Sequence, residues 1–127
     1  MSKKIVQTDK APAPIGPYSQ AVWAGNLLFV SGQVALLPGS SDVITTSASE
    51  ETHRIMENIQ AILQEAGLDF SNIVKTTIFL TDMALFGEVN EAYGQYFKSE
   101  FPARETVAVK GLPKNVNVEI SVTALRS

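Results

Sequence analysis

Residues 116–125 read VNVEISVTAL, and their alternation decides which way this part of the chain faces. Apolar side chains stand at every second position, which is the repeat of a β-strand with one buried face. The positions between them carry small neutral polar side chains and one carboxylate; they are Asn117, Glu119, Ser121 and Thr123. Because a solvated strand face more often carries several charges, this pattern favours a wet pocket or a subunit interface on the second face.

The segments before this strand predict four more strands and two helices, in the order β-β-α-β-α-β-β. Apolar stripes at helical spacing run through residues 48–66 and 83–98, and a serine–glutamate capping box opens the first. Two helices can cover one face of a mixed sheet, so the sequence predicts a two-layer α+β fold in a single domain, residues 1–127. The predicted strands are residues 20–24, 27–34, 73–81, 101–111 and 116–125.

Composition excludes several classes of function. The 127 residues include 10 basic and 13 acidic side chains, for a formal charge of −3, and Lys3-Lys4 is the strongest basic stretch. We therefore expect no nucleic-acid partner. The absence of cysteine excludes disulfides, thiolate metal sites and a cysteine nucleophile. No apolar run approaches the roughly 18 residues of a membrane helix, and no signal-peptide pattern is present, so we expect a cytoplasmic protein with no membrane partner.

The single histidine, His53, bears on metal and triad chemistry. It lies off the apolar stripe of the first predicted helix, beside Glu50 and Glu57 on the polar face. We expect a solvent-exposed histidine with no catalytic role, and no metal site.

Arg104 and Glu119 are the charged residues with candidate chemistry. Arg104 lies in FPARE, residues 101–105, where a loop meets an apolar strand pattern. Arginine offers a planar fork of donors that fits a carboxylate, so Arg104 is either a carboxylate clamp or a solvated surface residue. Glu119 is a lone carboxylate among small polar residues, and it either orients a water molecule or faces solvent.

Tyr18 and the pair Ser31-Gly32 are weaker candidates. Tyr18 follows a Gly-Pro turn, and Ser31 places a hydroxyl beside a backbone N–H that no side chain shields. Such groups can bind an oxygen anion or an amine. The alternative is a turn tyrosine and a β-bulge, since a glycine inside a strand pattern often marks one.

Four segments, in this order along nearly the whole chain, resemble the Rid family (YjgF, or reactive intermediate imine deaminases), and within it the RidA subfamily. They are IGPYSQAV (15–22), LLFVSGQV (27–34), NIVKTTIFLTDMALFGEVNEAYGQYF (72–97) and FPARETVAVKGLPKNVNVEI (101–120). The resemblance implies a chorismate-mutase-like fold and a homotrimer with sites in clefts between subunits. It also implies hydrolysis of 2-iminobutanoate, 2-iminopropanoate and enamines such as 2-aminoacrylate to a 2-oxo acid and ammonia, with no cofactor and no metal.

The resemblance also assigns roles residue by residue. Arg104 matches the arginine that grips the substrate carboxylate, and Glu119 matches the glutamate that positions the attacking water. The residues that match the cleft lining are Tyr18, Ser31, Gly32 and Asn90, and Thr106 stands where many members carry a cysteine. Glu105 replaces a serine that is common in the family, and strand alternation predicts that its side chain points away from that of Arg104.

Two other functions remain open on the sequence. The same clefts would suit a non-catalytic module that binds a small carboxylate and reports it to a partner. An endoribonuclease or translation-inhibitor role has also been attached to relatives, and the net charge of −3 argues against it.

Overall fold

The computed structural model describes residues 3–127. This part of the chain forms six strands and two α-helices, with short 3-10 turns between them. The helices are α1 (Ala48–Glu65) and α2 (Phe86–Gly94). The strands are β1 (Lys4–Val6), β2 (Ala21–Ala24), β3 (Leu27–Gln33), β4 (Ile73–Leu80), β5 (Ala103–Ala108) and β6 (Val118–Leu125).

All six strands belong to one mixed sheet in the order β1-β2-β3-β6-β4-β5. Every neighbouring pair is antiparallel except β4 and β5, which are parallel and are joined through α2. The last strand of the chain, β6, lies between β3 and β4 near the middle of the sheet. The predicted two-layer α+β architecture is confirmed.

The alternation of β6 is as predicted for its apolar positions. Val118, Ile120, Val122 and Ala124 are each at most 3% exposed and belong to the core. From α1 the same core receives side chains at helical spacing: Ile55, Ile59, Ile62 and Leu63. Burying a side chain of this size contributes about 1.5–3 kcal/mol, so this helix–sheet layer supplies much of the stability.

The ends of α1 also follow the sequence. The Ser47 side chain accepts a hydrogen bond from the Glu50 backbone N–H at 3.0 Å, as the capping-box spacing predicts. After the helix, Gly67 adopts φ +78°, a conformation that glycine takes without steric cost.

Two elements differ from the prediction. Strand β1 was not predicted, because it has three residues at the sheet edge and only Val6 among them is buried. The second helix was predicted over residues 83–98, but a 3-10 turn occupies Met83–Leu85 and α2 ends at Gly94. Phe97 still packs on the core beyond the helix, which explains why the apolar stripe is longer than the helix itself.

Two side chains also lie elsewhere than predicted. Asn117 does not share the second face of β6, because it precedes the strand and its side chain donates to Glu51 on α1 at 2.7 Å. His53 is half-buried rather than solvent-exposed, since its Nδ1 lies 2.7 Å from the Tyr96 hydroxyl. Tyr96 is beyond the end of α2, so helical spacing alone gave no sign of this contact.

The sheet face opposite the helices has no covering layer within residues 3–127. Cross-strand pairing places several exposed apolar side chains on it: Ile5, Leu27, Phe29, Val107 and Leu125. Phe29, at 48% exposed, lies beside Thr123 of β6. Separately, neither α1 nor α2 has the length and apolar character that crossing a membrane would require.

Candidate active site

A cleft of about 350 Å³ brings together four of the predicted site residues: Tyr18, Ser31, Gly32 and Glu119. It opens where β3 meets β6, and the segment before β2 forms one wall. The pairing of β3 with β6 is irregular between Val30 and Gln33, so Ser31 and Gly32 lie in a β-bulge. The bulge predicted from the glycine is therefore present, and it faces the cleft.

Gly32 and Glu119 are in direct contact. A Cβ atom added at Gly32 would lie 2.9 Å from the carboxyl carbon of Glu119, and closer still to one carboxylate oxygen. Only a glycine leaves room for the carboxylate in this position, which is the close approach that a glycine inside a strand suggests.

Glu119 is the only acidic side chain that lines the cleft. Burial raises the pKa of its carboxyl above the ordinary glutamate value, because desolvation disfavours the charged form. Its carboxylate accepts no hydrogen bond and forms no ion pair with any residue in the range 3–127. A raised pKa and free acceptor oxygens are the properties expected of a group that takes a proton from water.

The hydroxyls in the cleft are partly committed to the protein. Ser31 donates its hydroxyl hydrogen to the Ser19 carbonyl at 2.6 Å, so toward a ligand its oxygen acts as an acceptor. The Tyr18 hydroxyl accepts from the Ile15 backbone N–H at 3.3 Å and keeps its own hydrogen free to donate. One acceptor and one donor thus face the same space.

Gln20 is a structural residue of the site that the sequence analysis missed. It is 2% exposed, and its amide accepts from the Thr8 N–H at 2.7 Å and donates to the Thr8 and Pro12 carbonyls at 3.0 and 2.9 Å. These bonds hold the proline-rich segment against the sheet, where Pro12 lines the cleft. A lone glutamine at the start of a strand pattern gives no signal of such a role.

Among residues 3–127, Lys114 is the only cation that lines the cleft, and it too was not predicted. It adopts φ +57°, and Asn115 follows at φ +56°. A left-handed conformation is uncommon for a lysine and carries a small strain. The sequence LPKN indicates a turn, but it does not indicate the direction of the lysine side chain.

Arg104 lies in a second cluster, with Asn90, on the other side of the sheet. Its Nη1 donates to the Asn90 Oδ1 at 2.7 Å, and its guanidinium lies 5.6 Å from the Phe86 ring centre and 5.4 Å from that of Tyr93. All three partners are on α2, at positions that share one helix face. Within residues 3–127 no carboxylate pairs with Arg104, so most of its donors remain available.

A hydrogen bond between Tyr93 and Thr76 fixes the aromatic ring that the Arg104 guanidinium contacts. The buried Tyr93 hydroxyl donates to the Thr76 Oγ1 at 2.8 Å. Burial raises the pKa of Tyr93, so the ring under the guanidinium stays neutral. Thr76 is the cross-strand neighbour of Arg104 itself, which ties the aromatic ring to the strand that carries the arginine.

Glu105 and Thr106 complete the description of β5. Glu105 accepts from the Thr77 hydroxyl at 2.9 Å and pairs with Lys75 at 3.2 Å, so its side chain points away from Arg104, as predicted. These contacts hold the pKa of the Glu105 carboxyl below its ordinary value. Thr106 shares the helix-side face with Arg104, and its hydroxyl is buried without a hydrogen-bond partner in the described chain.

Arg104 and Glu119 therefore lie on opposite faces of the sheet. Glu119 pairs across to Phe79 and then to Val107, so these three share the uncovered face. Arg104 is three residues before Val107, which places it on the helix side. Neighbouring strands are about 4.8 Å apart, so two strand spacings, roughly 10 Å, also separate the backbones of β5 and β6. One chain alone does not bring the two charges together.

The described residues contain no group of three or more His, Asp or Glu side chains arranged to hold a metal ion. Of the clusters above, neither presents more than one carboxylate.

Comparison with known proteins identifies the family. A family model described as Endoribonuclease L-PSP matches residues 8–126. The human protein named 2-iminobutanoate/2-iminopropanoate deaminase is 44% identical over 124 residues, which cover 98% of this chain and 90% of that one. A solved Yersinia pestis structure, described as a member of the conserved Rid protein family, is 42% identical, covers 98% of this chain and 100% of its own, and superposes with a TM-score of 0.95.

The chain belongs to the Rid family. Its two-layer α+β fold, a mixed six-stranded sheet with two helices, is the fold of its Rid-family structural relatives. A further Rid-fold relative, E. coli TdcF solved with bound serine, is 38% identical, with a TM-score of 0.92 over 98% of this chain and 99% of its own. The recognition drawn from the four sequence segments is confirmed.

In this Rid protein, Glu119→Gln is expected to raise the free energy of unfolding at pH 7. The folded protein holds the Glu119 proton more tightly than the unfolded chain, so stability falls as the pH rises through the ordinary glutamate range, near about 4.3. The gain stays below about 1.4 kcal/mol, since the side chain is partly solvated. Urea unfolding at one protein concentration measures it. At pH 3, where both side chains are neutral, the two proteins should be equal, and a gain of the same size there would contradict this origin.

Gly32→Ala is expected to displace the Glu119 carboxylate without unfolding the protein. The carboxylate is the flexible end of its side chain and can swing toward solvent, so the free energy of unfolding should change by less than about 1 kcal/mol. Carbon NMR of the Glu119 carboxyl should then report a pKa closer to the ordinary value. Gly87→Ala is the matched control, because a Cβ there meets no atom within 4 Å. Identical titrations in the two variants would refute the contact.

Proposed function

We propose that the protein is an imine and enamine deaminase, which hydrolyses small 2-imino acids such as 2-iminobutanoate and 2-iminopropanoate to 2-oxo acids and ammonia. The observation that carries this proposal is a pair of opposite charges, Arg104 and Glu119, neither of which forms an ion pair with any residue from 3 to 127 of this Rid-family chain. The name of the human relative supports the reaction class.

Arg104 is the proposed anchor for the substrate carboxylate. Asn90 and the rings of Phe86 and Tyr93 fix the guanidinium while its outer donors stay free. A preorganised fork binds a carboxylate through two parallel hydrogen bonds and thereby orients the imine carbon. Thr106, on the same side of β5, lies under this position.

Glu119 is the proposed base for the attacking water. It takes one proton as the water oxygen bonds to the imine carbon; the C=N bond becomes a C–N single bond, and the nitrogen receives that proton from Glu119. The resulting aminoalcohol then loses ammonia: Glu119 takes the hydroxyl proton and passes it to the nitrogen, C=O forms and the C–N bond breaks. In sum, one imine and one water give one 2-oxo acid and one ammonia. The free Tyr18 donor and the Ser31 acceptor line the same cleft, where Gly32 gives the carboxylate its room.

An enamine such as 2-aminoacrylate must first become the imine, by gaining a proton at carbon and losing one from nitrogen. Imines hydrolyse readily in water, so orientation and a held water supply a modest rate enhancement without a cofactor or metal.

The proposal requires a homotrimer in which Arg104 of one subunit faces the Glu119 cleft of the next. Within one chain these residues lie on opposite sheet faces, about two strand spacings apart. The uncovered face with Phe29, Val107 and Leu125 exposed offers apolar surface for association.

A second candidate function is non-catalytic binding of a small carboxylate. A relative solved with bound serine favours it, because serine presents a carboxylate and an amine and undergoes no imine hydrolysis. In this case the same Arg104 cluster would hold the ligand, and Glu119 would not activate a water molecule.

The deciding experiment is a coupled assay. A pyridoxal-phosphate enzyme generates 2-aminoacrylate from serine, and semicarbazide traps the imine that survives. Wild-type protein is expected to shorten the lifetime of the intermediate, and Arg104→Ala to lose at least about 100-fold in kcat/KM, because the carboxylate loses its anchor. Arg126→Ala is the matched control, since Arg126 also lies over an aromatic ring, that of Trp23, away from both clusters. Binding of 2-oxobutanoate with no effect on imine lifetime, across several amino-acid precursors, would favour the non-catalytic function instead.

Mixing two inactive variants tests the shared site. In a random mixture of Arg104→Ala and Glu119→Gln subunits, about a quarter of the interfaces combine an intact arginine with an intact glutamate. Unfolding and refolding the two together should therefore restore about a quarter of wild-type activity. A mixture as inactive as its components would contradict a site built from two subunits.

A further inference from the structure

The position of Glu119 depends on its backbone. Its carboxylate makes no hydrogen bond with any residue from 3 to 127, and it lies against the backbone of Gly32. It is also the second residue of β6, directly after the irregular segment that contains Lys114 and Asn115, both with positive φ. The direction of Glu119 therefore depends on the contacts that fix the backbone where this segment ends and β6 begins.

A buried carboxylate on α1 lies at this point. Glu51, in the first turn of the helix, is 0% exposed. Its Oε1 accepts from the Asn117 backbone N–H at 2.9 Å, and its Oε2 accepts from the Asn117 side-chain amide at 2.7 Å. Glu51 forms no ion pair with any described residue, so these bonds and the helix N-terminus stabilise it.

Asn117 is also bonded to Thr81, the residue that follows β4. Its carbonyl accepts from the Thr81 backbone N–H at 3.1 Å, and its Oδ1 lies 3.3 Å from the Thr81 hydroxyl. Asn117 thus has its N–H, its carbonyl and both side-chain polar atoms bonded to Glu51 and Thr81. A residue held in this way has a single orientation, and Glu119 follows two positions later.

We propose that Glu51 is a positioning residue for the hydrolysis: through Asn117 it fixes the start of β6 and so directs the Glu119 carboxylate into the cleft beside Gly32. The inference rests on the proposed function for the reaction that Glu119 serves. The contacts of Glu51 lie on the side of the sheet away from the cleft, so it does not touch the substrate.

The physical reason is the short length of chain between the two residues. Asn117 directly precedes β6 and Glu119 is only two residues further on, so a backbone rotation at Asn117 or a slip of the strand changes the direction of Glu119. The apolar face of β6 holds Ile120 and Val122 in register, but it gives no hydrogen bond to the residue before the strand. A misplacement of about 1 Å costs a catalytic group on the order of 100-fold in rate.

An exchange of the two side chains tests the proposal. In Glu51→Gln, the new amide sets an N–H donor against the backbone N–H or the side-chain amide of Asn117. This clash is relieved only if the Asn117 amide turns over, so that its oxygen accepts from the new amide and its NH2 group donates to the Thr81 hydroxyl. In Asn117→Asp, two carboxylates face each other. In the double variant Glu51→Gln/Asn117→Asp, the amide nitrogen introduced at position 51 donates to the carboxylate introduced at position 117. The amide oxygen at position 51 still accepts from the backbone N–H of residue 117, and the second carboxylate oxygen at position 117 still accepts from the Thr81 hydroxyl. The total charge is unchanged.

Asn117→Asp is expected to lose about 10- to 100-fold in kcat with KM changed less than about threefold, and to shift the pH dependence of kcat that Glu119 controls. Glu51→Gln is expected to change both in the same direction by less. The double variant should recover to within about threefold of wild type. Thr52→Val is the matched control: Thr52 is also buried on α1, but its hydroxyl bonds within the helix to the Ala48 carbonyl. It should lower the Tm and leave kcat and its pH profile unchanged well below that temperature.

Wild-type kcat and pH profile in Asn117→Asp, or a double variant no faster than that single variant, would overturn the assignment. If a single variant fails to fold, the comparison of the double variant with wild type still decides it. Failure of the proposed function gives a different result, because wild type itself would then hydrolyse no imine. In that case, the pKa of the Glu119 carboxyl, measured by carbon NMR, would test the positioning role. If Glu51 positions Glu119, this pKa should change in the single variants and return to the wild-type value in the double variant. If it does not, the pKa should be the same in all of them.

Discussion

A sheet that packs both helices against one face leaves its other face without cover, and the rest of the structure depends on this constraint. The apolar positions of β6 commit that strand to the helix side, so Glu119 must point to the open side. On the edge strand β5, alternation places Arg104 on the helix side of the sheet, where it contacts α2. The two charges are therefore separated by the sheet itself, and only association of chains can unite them in one site.

The candidate site residues Glu119 and Arg104 make few hydrogen bonds, whereas several polar groups around them are well bonded. Among residues 3–127, the half-buried Glu119 carboxylate has no hydrogen-bond partner, and Arg104 bonds only to an amide oxygen. Several neighbouring polar groups, by contrast, are bonded: Gln20 holds the cleft wall, Tyr93 bonds to Thr76, and Glu51 bonds twice to Asn117. These bonded groups fix the structure around the free ones, which is the preorganisation that the proposed site requires.

Prediction from sequence succeeded where periodicity is strong. The capped helix α1 and the alternating strand β6 both have long, regular patterns that few other structures satisfy. It failed for β1, which is too short to show a period, and for the length of α2, because Phe97 packs on the core from outside the helix. The sequence pattern places Asn117 on the second face of β6, but its side chain donates a hydrogen bond to Glu51, 66 residues earlier, and so lies on the helix side. Such long-range polar contacts leave no periodic signal.

The sequence by itself determined the elements, the inward face of each long one and the resemblance that marks Arg104 and Glu119, because alternation and capping are local properties of the chain. Tertiary structure decided which residues meet. It brought Gly32 against Glu119 and Asn90 against Arg104, set Glu51 under the start of β6, and left Lys114 facing the cleft. These contacts depend on strand order and register, which arise only when the core packs and which no short stretch of the chain encodes.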